Sequence, residues 1–272
     1  MATLRIWTRP IEDVQKFYQA YYTPNNAVLA VVGDVNSDAV FAKVEKYFAA
    51  IPSRPTPPHG PLEEPPQKAE RRSSESDALA RVPALAIGYH MPPRHSPDAL
   101  AGAVAGELLH NGQASLLYQT LVKDKQVALE VDGGVNWPLG TPCEYNGPTL
   151  MTSFVVYPPN VSEDQVLAAY DAAVQNLATK GPSQADVDRI VAKMRSDWYG
   201  NLEIPISRAS ALSHAVLYDG NFDSVYALPD ELRKITPEQV RAFAAKYLVS
   251  TNRTIINRTP SGGGAQSTGG GQ

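Results

Sequence analysis

Residues 9–34, RPIEDVQKFYQAYYTPNNAVLAVVGD, return near the end of the chain as residues 235–260, ITPEQVRAFAAKYLVSTNRTIINRTP. Glu12, Val14, Phe17, Tyr21 and Asn26 match Glu238, Val240, Phe243, Tyr247 and Asn252, each pair 226 residues apart. A match at one fixed offset, across a helix and the strand after it, marks a duplicated structural unit. If this segment closes the repeated unit, the 272-residue chain holds one full unit and only the tail of another. The sequence therefore reads as the back part of a larger two-unit protein.

The periodicity around the repeat fills in the rest. Val14, Phe17, Tyr18 and Tyr21 fall on one face of a helix over Glu12–Tyr22. Pro24 ends that helix, because the residue before a proline is pushed out of helical geometry. AVLAVVGDV (27–35) predicts a buried strand, and Asp38–Phe48 a second helix. The proline-dense IPSRPTPPHGPLEEPPQ favours extended backbone and predicts an exposed linker. Beyond it, ALAIGYHM (84–91), ALEVDGGVN (128–136) and TLMTSFVVY (149–157) predict strands, while 97–110 and 114–121 predict helices. Ser162 with Gln165 forms a capping box opening a further helix, and helices follow over 183–198 and 208–217. Thr236 and Pro237 supply an N-cap and a proline at the first helical position for the second copy of the repeat.

The order of elements predicts an α+β fold: a layered antiparallel sheet with helices packed on it, one full unit plus the end of a preceding homologous unit. The boundaries read as 1–52 for the end of the first unit, 53–75 for the linker, 76–260 for the complete second unit and 261–272 for a Gly-rich tail unable to bury apolar surface.

Composition narrows the function. The net charge of −4 gives no basic footprint for nucleic acid. No apolar run reaches the roughly 20 residues of a spanning helix, and MATLRIWTRP carries no signal-peptide core. The single Cys143 excludes an internal disulfide and predicts a packing role. The histidines, His59, His90, His95, His110 and His214, never stand at i, i+4 with an adjacent glutamate, the spacing that places two imidazoles and a base around zinc. Glu107 and His110, at i, i+3, read as a solvent-facing pair at a helix end. Lys123, Asp124 and Lys125 read as a solvated charge run. No phosphate loop, dinucleotide fingerprint or serine elbow is present.

FYQAYYTPNNAVLAVVGDV followed by VEKYFAAIP resembles the M16 family of zinc metallopeptidases, the insulinase, pitrilysin and mitochondrial processing peptidase group. ELLHNGQASLLYQTLVKDKQVA (107–128) and GPSQADVDRIVAKM (181–194) are similar to two further segments of that family. The resemblance covers about residues 8–258 and implies the LuxS/processing-peptidase-like fold, in which two homologous domains enclose unfolded peptides. It also implies that H-x-x-E-H and a further glutamate hold Zn2+ in an upstream domain, with no metal bound by this chain and no catalytic residue in it. The family's second-domain arginine and tyrosine fall on Val122 and Leu129, which can neither donate a hydrogen bond nor carry charge. Either Lys123 or Lys125 takes the electrostatic role, or this half only encloses substrate. Asn111 and Gly112 keep part of the family's glycine-rich turn and complete the set of candidate substrate-binding residues. The implied partners are an unfolded peptide and a catalytic M16 domain or homologous subunit. The alternative reading is a non-catalytic M16-like scaffold subunit. A periplasmic and a cytoplasmic location are both compatible with a bacterial-type member.

Overall fold

The computed structural model describes residues 10–58, 60 and 65–261. The chain divides into two compact units, one from Met1–Leu62 with Asp197–Ala227, the other from Glu63–Ser196 with Leu228–Gln272. The glycine-rich tail read from 261 onward and His59 lie outside the described residues, apart from Ser261.

The larger unit is built on one five-stranded sheet: β1 (Arg71–Asp77), β2 (Ala84–His90), β3 (Glu130–Val135), β4 (Leu150–Val156) and β5 (Arg253–Pro260). The strand order is β1-β5-β2-β4-β3. Neighbours are antiparallel except β1 and β5, which run parallel from Arg71 opposite Thr254 to Asp77 opposite Pro260. Strand β1 begins inside the stretch read as linker. Its sequence, RRSSESD, carries no apolar alternation, so it joins the sheet through backbone pairing and ion pairs of Arg258 with Glu75 and Asp77.

One face of the sheet carries Leu85, Ile87, Tyr89, Met151, Val155 and Ile255, all essentially without solvent contact. Against it pack α3 (Ala99–His110), α4 (Glu163–Lys180) and α8 (Pro237–Tyr247). Helix α3, ALAGAVAGELLH, is rich in alanine and glycine, and this lets it lie close to its neighbours. A Cβ added at Gly102 would stand 2.6 Å from both Met91 Cε and Phe243 Cε2. The capping boxes at Ser162 and Thr236 form as the sequence predicts, opening α4 and α8. Helix α5 (Gln184–Glu203) outlasts its predicted end at Trp198.

The smaller unit holds α1 (Ile11–Tyr21), α2 (Ser37–Phe48), α6 (Pro205–Asp219) and the first residues of α7 (Asp223–Leu232). Helix α7 has Pro229 inside it, which hides it from a periodicity reading. Leu202, Ala211, Ala215 and Val225 form a small core with Trp198, whose Nε1 donates to Val225 O at 2.9 Å. Arg54 folds back toward the end of α1 and donates to Gln19 O at 3.1 Å.

The stretch 27–35 departs from its sequence reading. It leaves the turn in extended geometry, Ala27 having φ −136 and ψ 146, but it pairs with no strand among the described residues. Leu29, Val31 and Val35 are exposed. A buried strand needs neighbours for its N–H and C=O groups, and every strand of the described sheet belongs to the larger unit. Backbone amides of 27–32 are therefore expected to exchange with deuterium at least roughly a hundredfold faster than those of 253–258. Equal protection of the two segments in the isolated chain would contradict this arrangement.

Candidate functional site

The four residues singled out for substrate contact sit on one connection after α3. Asn111 caps that helix, its Nδ2 donating to the Glu107 carboxylate. Gly112 follows in the left-handed region at φ +68, with open space around it. Seven residues, Tyr118–Asp124, then form a π-helix held on the core by buried Leu121. Lys123 lies at its end and Lys125 just beyond, both exposed. The π-helix closes with Lys125 N donating to Thr120 O at 3.0 Å, five residues back. Gln126 follows at φ 51. The structure thus puts the two lysines in solvent on one turn. No hydrogen bond or ion pair among the described residues ties them to Asn111 or Gly112. Val122 packs partly against the core and Leu129 is exposed.

The reading of Glu107 and His110 as a solvent-facing pair is corrected by the structure. His110 is buried, its Nδ1 on Gly106 O at 2.9 Å and its Nε2 on Ser153 Oγ at 2.7 Å. Ser153 Oγ in turn meets Tyr170 OH at 2.8 Å. Burial pushes the His110 pKa down to about 4, outweighing the Gly106 carbonyl and the Asp132 carboxylate, which pull it up. The imidazole is therefore neutral. Both ring nitrogens are engaged, and a Cβ at Gly133 would stand 2.8 Å from His110 Cδ2 and 2.2 Å from Thr152 O. This closed packing leaves no room for a substrate or metal beside His110. Among the described residues no group of three or more His, Cys, Asp or Glu side chains is placed to hold a metal ion. Cys143 is half-buried, and burial pushes its thiol up to about 12, so it is not a thiolate at neutral pH.

A second buried polar group went unread in the sequence. Arg253 is 5% exposed at the start of β5 and is bound by the carboxylates of Glu70 and Asp171. Its Nε donates to Glu70 Oε2 at 2.7 Å, and its Nη1 reaches Tyr89 OH at 3.4 Å. Burial works against the guanidinium charge, but the hydrogen bonds that Arg253 donates to Asp171, Tyr89 and Glu70 more than offset it and raise its pKa. The one sequence signal was phase: Arg253 shares the inward-facing positions of β5 with Ile255 and Asn257. Such a network orders β1, α4 and β5 but offers nothing to a substrate.

What remains open is the surface of the smaller unit. Ile11, Val14, Phe17, Tyr18 and Tyr22 are exposed on α1, and Phe41, Tyr47 and Phe48 on α2. A largely apolar cavity of about 590 Å3 in the same unit is lined by Val28, Val31, Phe41, Val44, Leu212 and Phe222. Exposed large apolar side chains gathered in one unit are the kind of surface that serves as an interaction site. The contrast with the second copy of the repeat is direct. Val14 and Phe17 are each 58% exposed, whereas Val240 and Phe243 are 0% and 1% exposed.

The larger unit is thus a layered α+β domain, and the smaller unit carries exposed apolar surface. Residues 10–194 match the peptidase M16 inactive domain family, and the chain belongs to it. The chain is 27% identical over 208 residues to a zinc protease, PqqE, of Helicobacter pylori, a match covering 75% of this chain and 44% of that protein. Its fold is similar to the crystal structure of a protease from Helicobacter pylori, with TM-score 0.82 at 23% identity, covering 94% of this chain and 60% of that one. The inactive peptidase domain of a putative zinc protease from Bordetella parapertussis superposes with TM-score 0.58 at 26% identity, over 66% of this chain and 93% of that domain. The chain spans about half the length of the curated relatives it matches.

Proposed function

We propose that this chain is the non-catalytic, substrate-enclosing portion of an M16 zinc endopeptidase whose catalytic domain is a separate homologous unit. The observation that carries this reading is the uncovered first copy of the repeat. Its apolar side chains are those that the second copy buries, so it is built to be covered by another unit. In this reading residues 1–52 close a catalytic-type domain, 53–75 connect, 76–260 form the complete inactive domain and 261–272 trail from it. Zinc belongs to the catalytic domain, and this chain's part is to wall the chamber in which an unfolded peptide is held. Asn111 and Gly112, on the turn after α3, and Lys123 and Lys125, on and beyond the π-helix, face that peptide. The lysines, as mobile point charges, would bind carboxylates of the substrate rather than stabilise a reacting oxygen.

The test has two arms. The purified chain alone is expected to bind less than about a tenth of an equivalent of zinc and to leave an unfolded casein substrate uncut. Mixed with the remainder of the Helicobacter pylori zinc protease outside the matched region, it is expected to give chelator-sensitive cleavage. Stoichiometric zinc with cleavage by the chain alone would overturn the proposal. Binding to that remainder without cleavage would favour the scaffold-subunit reading.

A further inference from the structure

A recess of about 160 Å3 lies in the larger unit, just past the turn that carries Asn111 and Gly112. Its apolar lining is Leu108 of α3, Leu116 and, from α4, Leu177. Leu108 and Leu177 are buried and belong to the main core, and Leu116 packs partly against it. Ala114, two residues beyond Gly112, also lines the recess and is exposed. Another wall is the short connection between α4 and α5. There Gly181, at φ +72, ends α4 and donates its N–H to Leu177 O at 3.1 Å.

The polar lining comes from the same connection and the helices beside it. Ser183 Oγ accepts from Asp186 N at 3.1 Å and donates to Asp186 Oδ2 at 2.6 Å, which fixes that carboxylate at the start of α5. Arg189 Nη2 stands 3.7 Å from Asp186 Oδ1, an ion pair too long for a hydrogen bond. The guanidinium makes no hydrogen bond among the described residues, so its N–H groups are left for a ligand or water.

We infer that this recess is a subsite for a tyrosine side chain of the enclosed peptide. Size sets the ring: an apolar cavity of about 150 Å3 takes up benzene, and this recess has nearly the same volume. The charges set its substituent. Asp186 repels a carboxylate and Arg189 repels an ammonium. A neutral phenol hydroxyl serves both, donating to the carboxylate and accepting from the guanidinium. The ring lies on the leucines while the hydroxyl stays at the polar rim, the division for which tyrosine is suited. This rests on the proposed enclosure of a peptide faced by Asn111 and Gly112, whose turn Ala114 continues into the recess.

The experiment titrates the full chain with p-cresol, the tyrosine side chain cut at its β-carbon, and with toluene, its phenylalanine counterpart, and reads amide shifts. p-Cresol is expected to move the amides of Ala114, Leu116, Leu177 and Gly181 saturably and to bind about fivefold tighter than toluene. Ala114→Trp, at an exposed position, fills the recess and is expected to weaken p-cresol by about tenfold or more with the urea midpoint unchanged. Arg189→Ala is expected to leave toluene bound and to erase the preference for p-cresol. In a second arm, an unstructured fluorescein-labelled peptide with one tyrosine is expected to lose about tenfold or more in affinity when alanine replaces that tyrosine. Absence of p-cresol shifts at those amides would overturn the inference and leave the proposed enclosure standing. Equal binding of the tyrosine and alanine peptides would do the same. p-Cresol seated in the recess with neither peptide bound would overturn the enclosure reading, and with it the peptide as the owner of the ring.

Discussion

Phe243→Ala is expected to destabilise the larger unit by about 3–5 kcal/mol, whereas Phe17→Ala, the same substitution 226 residues earlier, is expected to change stability by less than about 0.5 kcal/mol. The side chains are chemically identical and their helices equally long, so propensity cannot separate them. Burial does. Phe243 is 1% exposed on the glycine of α3, beside Val240 and Ala244, and its removal leaves a cavity in the main core. Phe17 is 58% exposed and touches Tyr21 of its own helix. Its loss in the isolated chain removes little more than one aromatic contact. Urea unfolding of the two variants beside the parent gives the answer, read as a shift in midpoint at constant slope. Equal losses would mean that the first copy is covered after all.

The second large effect is on pH. His110 has its pKa depressed by burial from 6.5 to about 4. In the unfolded chain the imidazole takes a proton as pH falls through about 6.5, while in the folded chain it stays neutral until about 4. The unfolded state thus binds more protons in that window, and stability rises with pH across it. The contribution is complete above about pH 6.5 and is lost progressively down to about pH 4, roughly 3 kcal/mol in all. Acidic groups with lowered pKa values, Asp98 held by Lys246 and Glu70 held by its arginines despite burial, add their own loss at lower pH. His110→Gln is expected to be less stable at pH 7, since the Gly106 and Ser153 bonds are disturbed, and to show a flatter stability profile between pH 4 and 6.5. A wild-type profile already flat in that range would show that His110 is accessible to protons in the folded state.

Helix termini were legible because their signals are local. Ser162 with Gln165 and Thr236 with Gln239 declare their capping boxes within four residues of sequence, and both form. The sheet strands β2, β3 and β4 showed as short β-rich runs. Strand β1 did not, because a polar edge strand is held by backbone bonds whose partner, β5, lies 183 residues away at Arg71 and Thr254. Helix α7 was hidden by Pro229. The inward turn of His110 was unreadable for a related reason. The spacing from Glu107 fixes a helical face, but which face meets the sheet depends on Ser153, 43 residues on.

The sequence by itself determined the repeat, the layered α+β class, the M16 relationship and the lack of a zinc-binding motif, since each is written in residue identity and spacing. Tertiary structure alone decided the fate of each copy. Val14, Phe17 and Leu29 are as apolar as Val240, Phe243 and Ile255, yet the first three lie in solvent and the last three have 0% or 1% exposure. Side-chain chemistry states what a surface prefers to bury. Whether it is buried depends on what the rest of the fold brings against it: β2 and α3 cover the second copy, and no strand among the described residues pairs with the first.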